Sequence, residues 1–139
     1  YVGRLDKDST GLLLLTNDGD LANEIQRSRN NHEKEYHVRV NIDITEDFIK
    51  KMSEGVEILD TVTKPCKVKK TGTRNFSIIL TQGLNRQIRR MCDALHVRVV
   101  HLKRVRIMNI RLGSLRPGEF RTLTREEEQE LRRLVQKRS

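Results

Sequence analysis

Hydrophobic residues recur along this chain at two spacings. Every second residue is hydrophobic in some segments, which predicts strands, and every third or fourth residue in others, which predicts helices. Alternation is clearest from Lys34, where Tyr36, Val38 and Val40 share one side of a half-buried strand. A change in the phase of alternation near Arg104 predicts a bulge or bend. The predicted strands cover residues 1–5, 12–16, 34–40, 56–59, 62–68 and 76–80, with one or two more within 97–112.

Four stretches have the wider spacing that is typical of helices burying one side. Asp18 suits the N-cap of the first helix, which runs for about ten residues, and Thr45 suits that of the second. The third helix, residues 84–95, combines a regular apolar face with arginines on another side. Thr124 and Glu127 form the capping box of the last helix, near the C-terminus. Strands in the middle of the chain with helices around them predict the α+β class.

The positive charge of the chain is concentrated rather than uniform. The length of 139 residues and the hydrophobic content of 35% allow one domain with its own core. The net charge is +9, and residues 61–121 hold 15 Lys or Arg against two acids. This concentration favours a polyanionic partner, above all a nucleic acid, because each neutralised phosphate releases counterions. A solvated surface crossed by salt bridges is the competing interpretation.

Several classes of protein are disfavoured by features that the sequence lacks. The longest apolar run, residues 12–15, is too short to span a bilayer, and no secretory leader precedes the first predicted strand. Cys66 and Cys92 form no CxxC pair, and the four histidines show no ligand spacing. We therefore expect a protein of the reducing cytoplasm that has no membrane contact, no bound metal and no cofactor.

The first candidate for chemistry is Asp6, within the sequence GRLDKDSTGLLLLTNDG of residues 3–19. Asp6 directly follows a predicted strand and stands on a polar loop that Gly11 closes. A carboxylate that rigid elements hold at the edge of a cleft can act as a nucleophile. The alternative is a loop aspartate that only caps backbone amides.

Tyr36 and residues 83–91, with the sequence GLNRQIRRM, are the other candidates. The Tyr36 ring should point inward, where it can stack on a base or transfer a proton, although a plain core position is the commoner role. With two Tyr, three Phe and no Trp, broad stacking on single strands is poorly supported. The start of the third helix suits phosphate, and Arg89 can clamp the Asp6 carboxylate if the two segments meet. A solvated basic face is the alternative.

Taken in order, three motifs resemble one family: GRLD-x-x-S/T-x-GLLLLTNDG, K-x-Y and GLNRQIRRM. They are similar to the bacterial ribosomal pseudouridine synthases of the small-subunit synthase type, a family that also modifies 23S rRNA. The resemblance extends from residue 1 to about 123, and residues 62–64 and 85–91 are most similar to the large-subunit synthase F branch. It implies the pseudouridine synthase catalytic fold, a mixed, mainly antiparallel β-sheet with flanking helices.

The resemblance also implies catalytic roles for three residues. Asp6 would attack the uridine, either at C1′ of the sugar or at the base. Tyr36 would stack on the base and assist proton transfer, and Arg89 would pair with Asp6. Cleavage of the N1–C1′ bond, rotation of the uracil and rejoining through C5 then give pseudouridine without a metal or a cofactor. Because a stacked base cannot be reached, the uridine must first leave its stack.

Further positions match family residues that contact RNA. Arg4 would fill the gap that the extruded nucleotide leaves, Lys7 and residues 86–89 would lie along the RNA, and Lys34 matches the K-x-Y motif. The implied RNA-binding residues are Arg4, Leu5, Lys7, Lys34, Asn85, Arg86, Gln87, Ile88 and Arg90.

These implications lead to one expectation for the chain as a whole. Family members usually carry an upstream S4-type RNA-binding domain, so residues 1–139 are expected to be a single catalytic domain, truncated at its N-terminus. The expected function is isomerisation of a specific uridine in ribosomal RNA, in a stem-loop of 23S rRNA, by a monomer. The alternatives are a basic RNA-binding or ribosome-assembly module without catalysis, and a DNA-binding protein whose recognition helix is 84–95. The latter lacks a helix-turn-helix signature.

Overall fold

A computed structural model describes residues 5, 8–27 and 32–138. This part of the chain contains eight strands and four helices, which confirms the α+β prediction. None of these helices is long and apolar enough to cross a membrane. The strands are β1 (Thr10–Gly11), β2 (Lys34–Val40), β3 (Glu57–Ile58), β4 (Thr61–Val62), β5 (Lys67–Gly72), β6 (Asn75–Leu80), β7 (Val99–Ile107) and β8 (Ile110–Arg111). The helices are α1 (Gly19–Arg27), α2 (Glu46–Glu54), α3 (Gln87–Ala94) and α4 (Arg125–Arg138).

Six of the described strands form the main sheet. Five follow the order β1-β7-β2-β6-β5, β8 pairs with β7, and β3 and β4 form a separate hairpin. Among the described pairs of the main sheet, β1 and β7 are parallel and the others are antiparallel. The sheet is therefore mixed and mainly antiparallel, as the resemblance implied, with the long strands β2 and β7 side by side near its centre.

Among the described residues, two hydrophobic cores hold the helices in place. In the larger core, Val38 and Phe76 pair across β2 and β6 and pack against α2 and α3. The Phe48 ring of α2 meets the Phe76 ring edge-on, with 5.5 Å between the centroids. The smaller core lies around the β7–β8 hairpin and includes Leu131 and Val135 of α4. The larger core therefore fixes α3 against one face of the sheet.

Strand β7 contains an extra residue where the sequence predicted a bulge near Arg104. Along β2, Tyr36 pairs with Arg104, whereas the preceding residue, Glu35, pairs with Arg106. Val105 is the additional residue between them. An inserted residue shifts the side-chain alternation of its strand, which explains the change of phase in the sequence and confirms the prediction.

The predicted helix starts are confirmed by their capping hydrogen bonds. The Leu21 amide donates to Asp18 Oδ1 at 3.1 Å at the start of α1, and Thr45 caps α2 in the same way. The capping box of α4 is reciprocal, since the Thr124 amide donates to Glu127 Oε1 at 2.8 Å and the Glu127 amide donates to Thr124 Oγ1 at 3.1 Å. Local sequence therefore determines these three ends.

The predicted strand at residues 12–16 was wrong. The strand of this region is the shorter β1, inside the segment expected to be a loop. Beyond β1 the regular strand ends: Leu12 keeps one backbone hydrogen bond to Arg104 of β7 and Leu14 is an isolated bridge, while both side chains are buried in the smaller core. Of the predicted strand at residues 1–5, Leu5 has no regular structure and residues 1–4 lie outside the described residues.

Two other predicted elements were wrong in their limits. The predicted strand 62–68 is divided between β4 and β5, because Pro65 has no backbone donor for a ladder and Thr63 is buried. Helix α3 begins at Gln87 rather than at residue 84, because the backbone of Arg86 is left-handed, with a φ of 49°.

Replacing Gly11 should destabilise the fold, because β1 and β7 meet without room for a side chain. Gly11 has a φ of 112°, and a Cβ atom there would stand 2.2 Å from the Arg104 carbonyl oxygen. We expect Gly11→Ala to lower the free energy of unfolding by about 3 kcal/mol or more in urea denaturation. Gly19→Ala is the matched control, since no atom lies within 4 Å of the added Cβ, and its effect should stay within about 1 kcal/mol. Equal effects of the two changes would contradict this account.

The stability of the fold should depend on pH through Glu127. The Arg121 guanidinium, which donates to both carboxylate oxygens at 2.7 and 2.8 Å, and the Thr124 amide lower the pKa of this carboxyl from 4.5 to about 2. Because this pKa is lower in the folded chain than in the unfolded chain, the ionised carboxylate stabilises the fold when the pH is above the unfolded pKa. This contribution is lost as the pH falls from about 5 to about 2. We expect Glu127→Gln to lower the free energy of unfolding by about 1 kcal/mol at neutral pH.

That difference should vanish in acid when unfolding is measured across the pH range. Glu126→Gln, at the exposed neighbouring position, provides the control for loss of one carboxylate in the same helical turn. A deficit of the Glu127 variant that persists undiminished at acid pH would show that packing, and not the ionised carboxylate, stabilises the start of α4.

Candidate active site

Arg89, in the first turn of α3, contacts the loop that follows Asp6. Its Nη2 donates to the backbone oxygen of Asp8 at 2.8 Å and to Ser9 Oγ at 3.4 Å. These partners precede Arg89 by 81 and 80 residues, so no local sequence pattern reveals the contact. The sequence favours a functional Arg89 only if this loop comes close, and the structure brings the loop to Arg89 at Asp8 and Ser9.

The Nε of Arg89 is buried and has no hydrogen-bond partner among the described residues. Buried polar groups are nearly always hydrogen-bonded, and an unpaired donor on a charged group is costly. Such a donor suits a carboxylate or phosphate oxygen. The predicted partner, Asp6, lies outside the described residues, as do Arg4 and Lys7, whereas Leu5 is described and half-buried.

Tyr36 lies on β2, between Ile78 of β6 and Arg104 of β7. Its side chain is half-buried and packs against the larger core. This confirms the predicted inward direction of the ring. Lys34, two residues earlier, is also half-buried, so β2 presents both fixed residues of the K-x-Y motif on one side.

Arg104 connects the strand of Tyr36 to the end of the loop, and sequence reasoning missed it as a site residue. It is only 2% exposed. Its Nε donates to the Leu12 carbonyl at 2.9 Å, and its own carbonyl accepts from the Leu12 amide at 2.8 Å. Its backbone also pairs with Gly11 of β1. A guanidinium is buried only where it is hydrogen-bonded, so Arg104 belongs to the framework that positions the loop.

Two sequence features point to Arg104 once its position is known. The alternation of β7 changes phase beside it, and the loop after Asp6 ends in a glycine that allows another backbone to approach. Neither feature indicates burial of a cation by itself. An arginine between Lys103 and Arg106, in the most basic part of the chain, has the appearance of one more exposed charge.

The turn before α3 and the beginning of α3 present further cations. Arg90 donates from Nε to the Asn85 carbonyl at 2.9 Å and from Nη2 to Asn85 Oδ1 at 3.0 Å. Asn85 is exposed, while Arg86 and Arg90 are half-buried. The first turn of α3 contains no acidic residue. The start of the helix therefore combines backbone amides with positive charge, an arrangement that suits phosphate.

Gln87 and Ile88 are interior residues, in contrast to the RNA contacts that the resemblance implied. They are 5% and 4% exposed. Gln87 Oε1 accepts from the Leu84 amide at 3.2 Å and its Nε2 donates to Gln82 Oε1 at 3.3 Å, while Ile88 packs in the larger core. Their side chains have almost no free surface for RNA because they hold the start of α3 in place.

Neither cysteine has the properties of a nucleophile. Cys92 of α3 is buried in the larger core, and burial, with the nearby Asp93 charge, raises the pKa of its thiol to about 12. Burial also raises the pKa of the Cys66 thiol, to about 11. Among the described residues, no group of three or more His, Cys, Asp or Glu side chains is placed to hold a metal ion.

The described contacts bring together the loop after Asp6, the guanidinium of Arg89 and the strand that carries Tyr36. A family model for RNA pseudouridylate synthase matches residues 1–94. The chain is 56% identical over 138 residues to the dual-specificity RNA pseudouridine synthase RluF of Escherichia coli K12, covering 99% of this chain and 48% of that protein. It is 35% identical over 140 residues to the ribosomal large subunit pseudouridine synthase B of Bacillus subtilis 168, covering 96% and 57%.

The chain thus spans about half the length of these curated relatives. A solved structure described as a crystal structure of pseudouridylate synthase matches it with a TM-score of 0.87 and 36% identity, covering 93% of this chain and 57% of that one. Sequence motifs, fold and relatives agree. This chain belongs to the RNA pseudouridylate synthase family.

Proposed function

We propose that this chain isomerises a specific uridine of ribosomal RNA to pseudouridine, with Asp6 as the nucleophile. The observation that carries the proposal is the contact of Arg89 with the loop after Asp6, at the Asp8 carbonyl and Ser9 Oγ. Asp6 precedes Asp8 by two residues, and the buried Nε of Arg89 is a donor without a partner among the described residues. A guanidinium beside a carboxylate favours its ionised form, which a nucleophile requires.

The proposed reaction rearranges bonds without gain or loss of atoms. The Asp6 carboxylate adds to C1′ of the ribose or to the uracil ring, the N1–C1′ bond breaks, and the uracil turns until C5 faces C1′. The C5–C1′ bond forms as Asp6 departs, the proton on C5 is removed, and N1 acquires a proton. Tyr36 is assigned to stacking on the uracil and to proton transfer, since it lies on a rigid central strand.

The substrate must present its uridine outside a helical stack. Extruding a base costs roughly a few kcal/mol, and phosphate contacts made by basic residues offset this cost. Loops and bulges of RNA hold partly splayed bases, which favours a stem-loop as the target. The RNA contacts that we propose around the site are Arg4, Leu5, Lys7, Lys34, Asn85, Arg86 and Arg90.

The proposal extends to 23S rRNA as the substrate, acted on by a monomer in the cytoplasm. It is supported by the name of the Bacillus subtilis relative, a ribosomal large subunit synthase, and by that of the Escherichia coli relative, a dual-specificity RNA pseudouridine synthase. The residues 1–139 then act as one catalytic domain.

Asp6→Asn should abolish isomerisation and leave RNA binding intact. The amide keeps the shape of the carboxylate but cannot act as the nucleophile, so we expect turnover to fall by about a thousandfold or more. Pseudouridine is mapped by chemical labelling after incubation with unmodified 23S and 16S rRNA, and binding is measured on the same RNA. Asp8→Asn is the matched control, because Arg89 binds the backbone oxygen of Asp8 and not its exposed side chain.

Each outcome of that experiment has a separate meaning. Retained turnover in Asp6→Asn removes Asp6 from the mechanism. An unchanged chain that binds ribosomal RNA in a salt-sensitive way but forms no pseudouridine supports the RNA-binding module instead.

Arg89→Lys should impair turnover more than RNA binding. Lysine keeps the charge but lacks the planar fork that reaches Asp8, Ser9 and a further acceptor at once, so we expect turnover to fall by about a hundredfold while affinity changes by about threefold at most. Arg90→Lys, one residue further along α3, tests the same exchange at a position that bonds Asn85 and should affect mainly affinity. Equal losses of turnover and affinity in Arg89→Lys would identify Arg89 as a phosphate contact.

A further inference from the structure

The side of the main sheet opposite to Tyr36 carries a row of polar residues across five strands. Lys69 of β5 pairs with Ser77 of β6, which pairs with His37 of β2. His37 pairs with Lys103 of β7, and Lys103 pairs with Thr10 of β1. Directly paired residues project to the same face, so these five side chains form one line. Four strand spacings give the line a length of about 19 Å.

Neighbouring rows continue this surface, which we call the basic sheet face. Arg39 pairs with both His101 and Asn75 in the next row, and Lys67 lies two residues from Lys69 on the edge strand. His37, Arg39, Lys67, Lys69 and His101 are exposed, and Lys103 is half-buried. Because successive residues of a strand point to opposite faces, the basic sheet face lies on the other side of the sheet from Tyr36 and the larger core.

The cations of the basic sheet face lack acidic partners in the part of the chain that the structure describes. Among the described residues, Arg39, Lys67, Lys69 and Lys103 take part in no ion pair. The acid next to them, Glu35, is paired with Arg106 at 3.0 Å. Three arginines in and beside α4 are instead matched to acids, in the pairs Arg121–Glu127, Arg132–Glu128 and Arg133–Glu130.

Protection of a sheet edge accounts for only part of this charge. Lysines on an edge strand prevent sheets from pairing edge to edge, which explains Lys67 and Lys69 on β5. Arg39 and Lys103 lie on β2 and β7, which have neighbours on both sides and no edge to protect. Like charges placed on adjacent strands repel each other, so a partner that neutralises them is the simplest account of their presence.

The chemistry of the basic sheet face selects a phosphate backbone. Thr10, Ser77 and Asn75 add neutral hydrogen-bond donors between the cations. These rows contain no Phe, Tyr or Trp, and the imidazoles of His37 and His101 are their only rings, so the surface offers charge and hydrogen-bond donors more than stacking. Helical RNA keeps its own bases stacked and is recognised through its phosphates and its shape, which fits a flat basic surface of this length.

We propose that the basic sheet face binds the backbone of a helical RNA segment, separate from the strand that enters the site of Tyr36 and Arg89. This inference rests on the proposed function insofar as RNA is the substrate. A single RNA, or two helices of one folded RNA, would then contact both sides of the sheet. Isomerisation needs only the uridine site, and the basic sheet face adds affinity through phosphate contacts.

The test compares two triple variants of equal charge in the full chain. Arg39→Gln, Lys69→Gln and Lys103→Gln together neutralise the basic sheet face. The matched control neutralises three exposed cations elsewhere, by Lys50→Gln, Arg116→Gln and Arg125→Gln. The probe is a fluorescein-labelled RNA duplex of about 20 base pairs, with binding followed by anisotropy over a salt series. Thermal unfolding verifies that both variants are folded.

We expect the sheet-face variant to bind the duplex about tenfold more weakly at about 0.1 M KCl, with a salt slope reduced by about two to three, because three phosphate contacts are lost. The affinity of the control variant for the duplex should fall by about twofold at most, because only its net charge has changed. Equal losses in the two variants, or an unchanged salt slope in the sheet-face variant, would overturn the proposal.

Pseudouridine mapping on ribosomal RNA separates this proposal from the proposed function. In one outcome, the sheet-face variant binds the duplex more weakly and even the unchanged chain forms no pseudouridine. This outcome supports RNA binding by the basic sheet face and contradicts only the proposed catalytic function. In the opposite outcome, the unchanged chain forms pseudouridine and both variants bind the duplex with the same affinity. This outcome contradicts only the proposal that the basic sheet face binds RNA.

Discussion

The arrangement of the candidate site depends on one crossing of two backbones, where Gly11 of β1 meets Arg104 of β7. The absent side chain of Gly11 lets the Arg104 carbonyl approach, and the Arg104 guanidinium then reaches the Leu12 carbonyl. On its other side Arg104 is the cross-strand neighbour of Tyr36. One residue therefore sets the distance between the strand that carries the phenol and the end of the loop that carries Asp6. A shift of β7 would displace both together.

The distribution of ion pairs divides the molecule into two parts. Around α4, Arg121, Arg132 and Arg133 are matched with acids within a few residues, and these exposed pairs add little to stability beyond the cap that Glu127 completes. On the basic sheet face, Arg39, Lys67, Lys69 and Lys103 take part in no ion pair among the described residues, whereas Arg106 at the end of β7 is paired with Glu35 of β2. The positive charge of residues 61–121 is therefore not a general solubility device. Much of it lies on elements that border the candidate active site or on the opposite face of the same sheet, while Arg116 and Arg121 lie close to α4 in the sequence.

The sequence predicts those features of the fold that are determined within a few residues. The caps at Asp18, Thr45 and Thr124 were predicted because their hydrogen bonds are local. The strand expected at residues 12–16 failed because Leu12 and Leu14 are apolar for a tertiary reason, which is burial against α4.

The candidate site shows the same limit. The residue types at Asp6, Tyr36 and Arg89 were apparent from motifs, and the inward direction of Tyr36 followed from strand parity. The Arg89 contact across 81 residues and the burial of Arg104 could not be inferred, because both depend on how β1 docks on β7. The resemblance implied RNA contacts at Gln87 and Ile88, and their burial could not be inferred because it depends on how α3 packs in the larger core.

The contacts of the loop also give a physical reason for the pattern D-x-x-S/T-x-G. Asp8 occupies a free position of that pattern, and Arg89 binds only its backbone oxygen, which any residue supplies. Ser9 occupies the S/T position, and its hydroxyl accepts the second contact from Arg89, which either serine or threonine can make. Gly11 occupies the last position, where another residue would collide with Arg104. Each fixed position therefore serves either the guanidinium or the crossing of β1 and β7, so the loop is specified by what holds it and not only by the carboxylate that it carries.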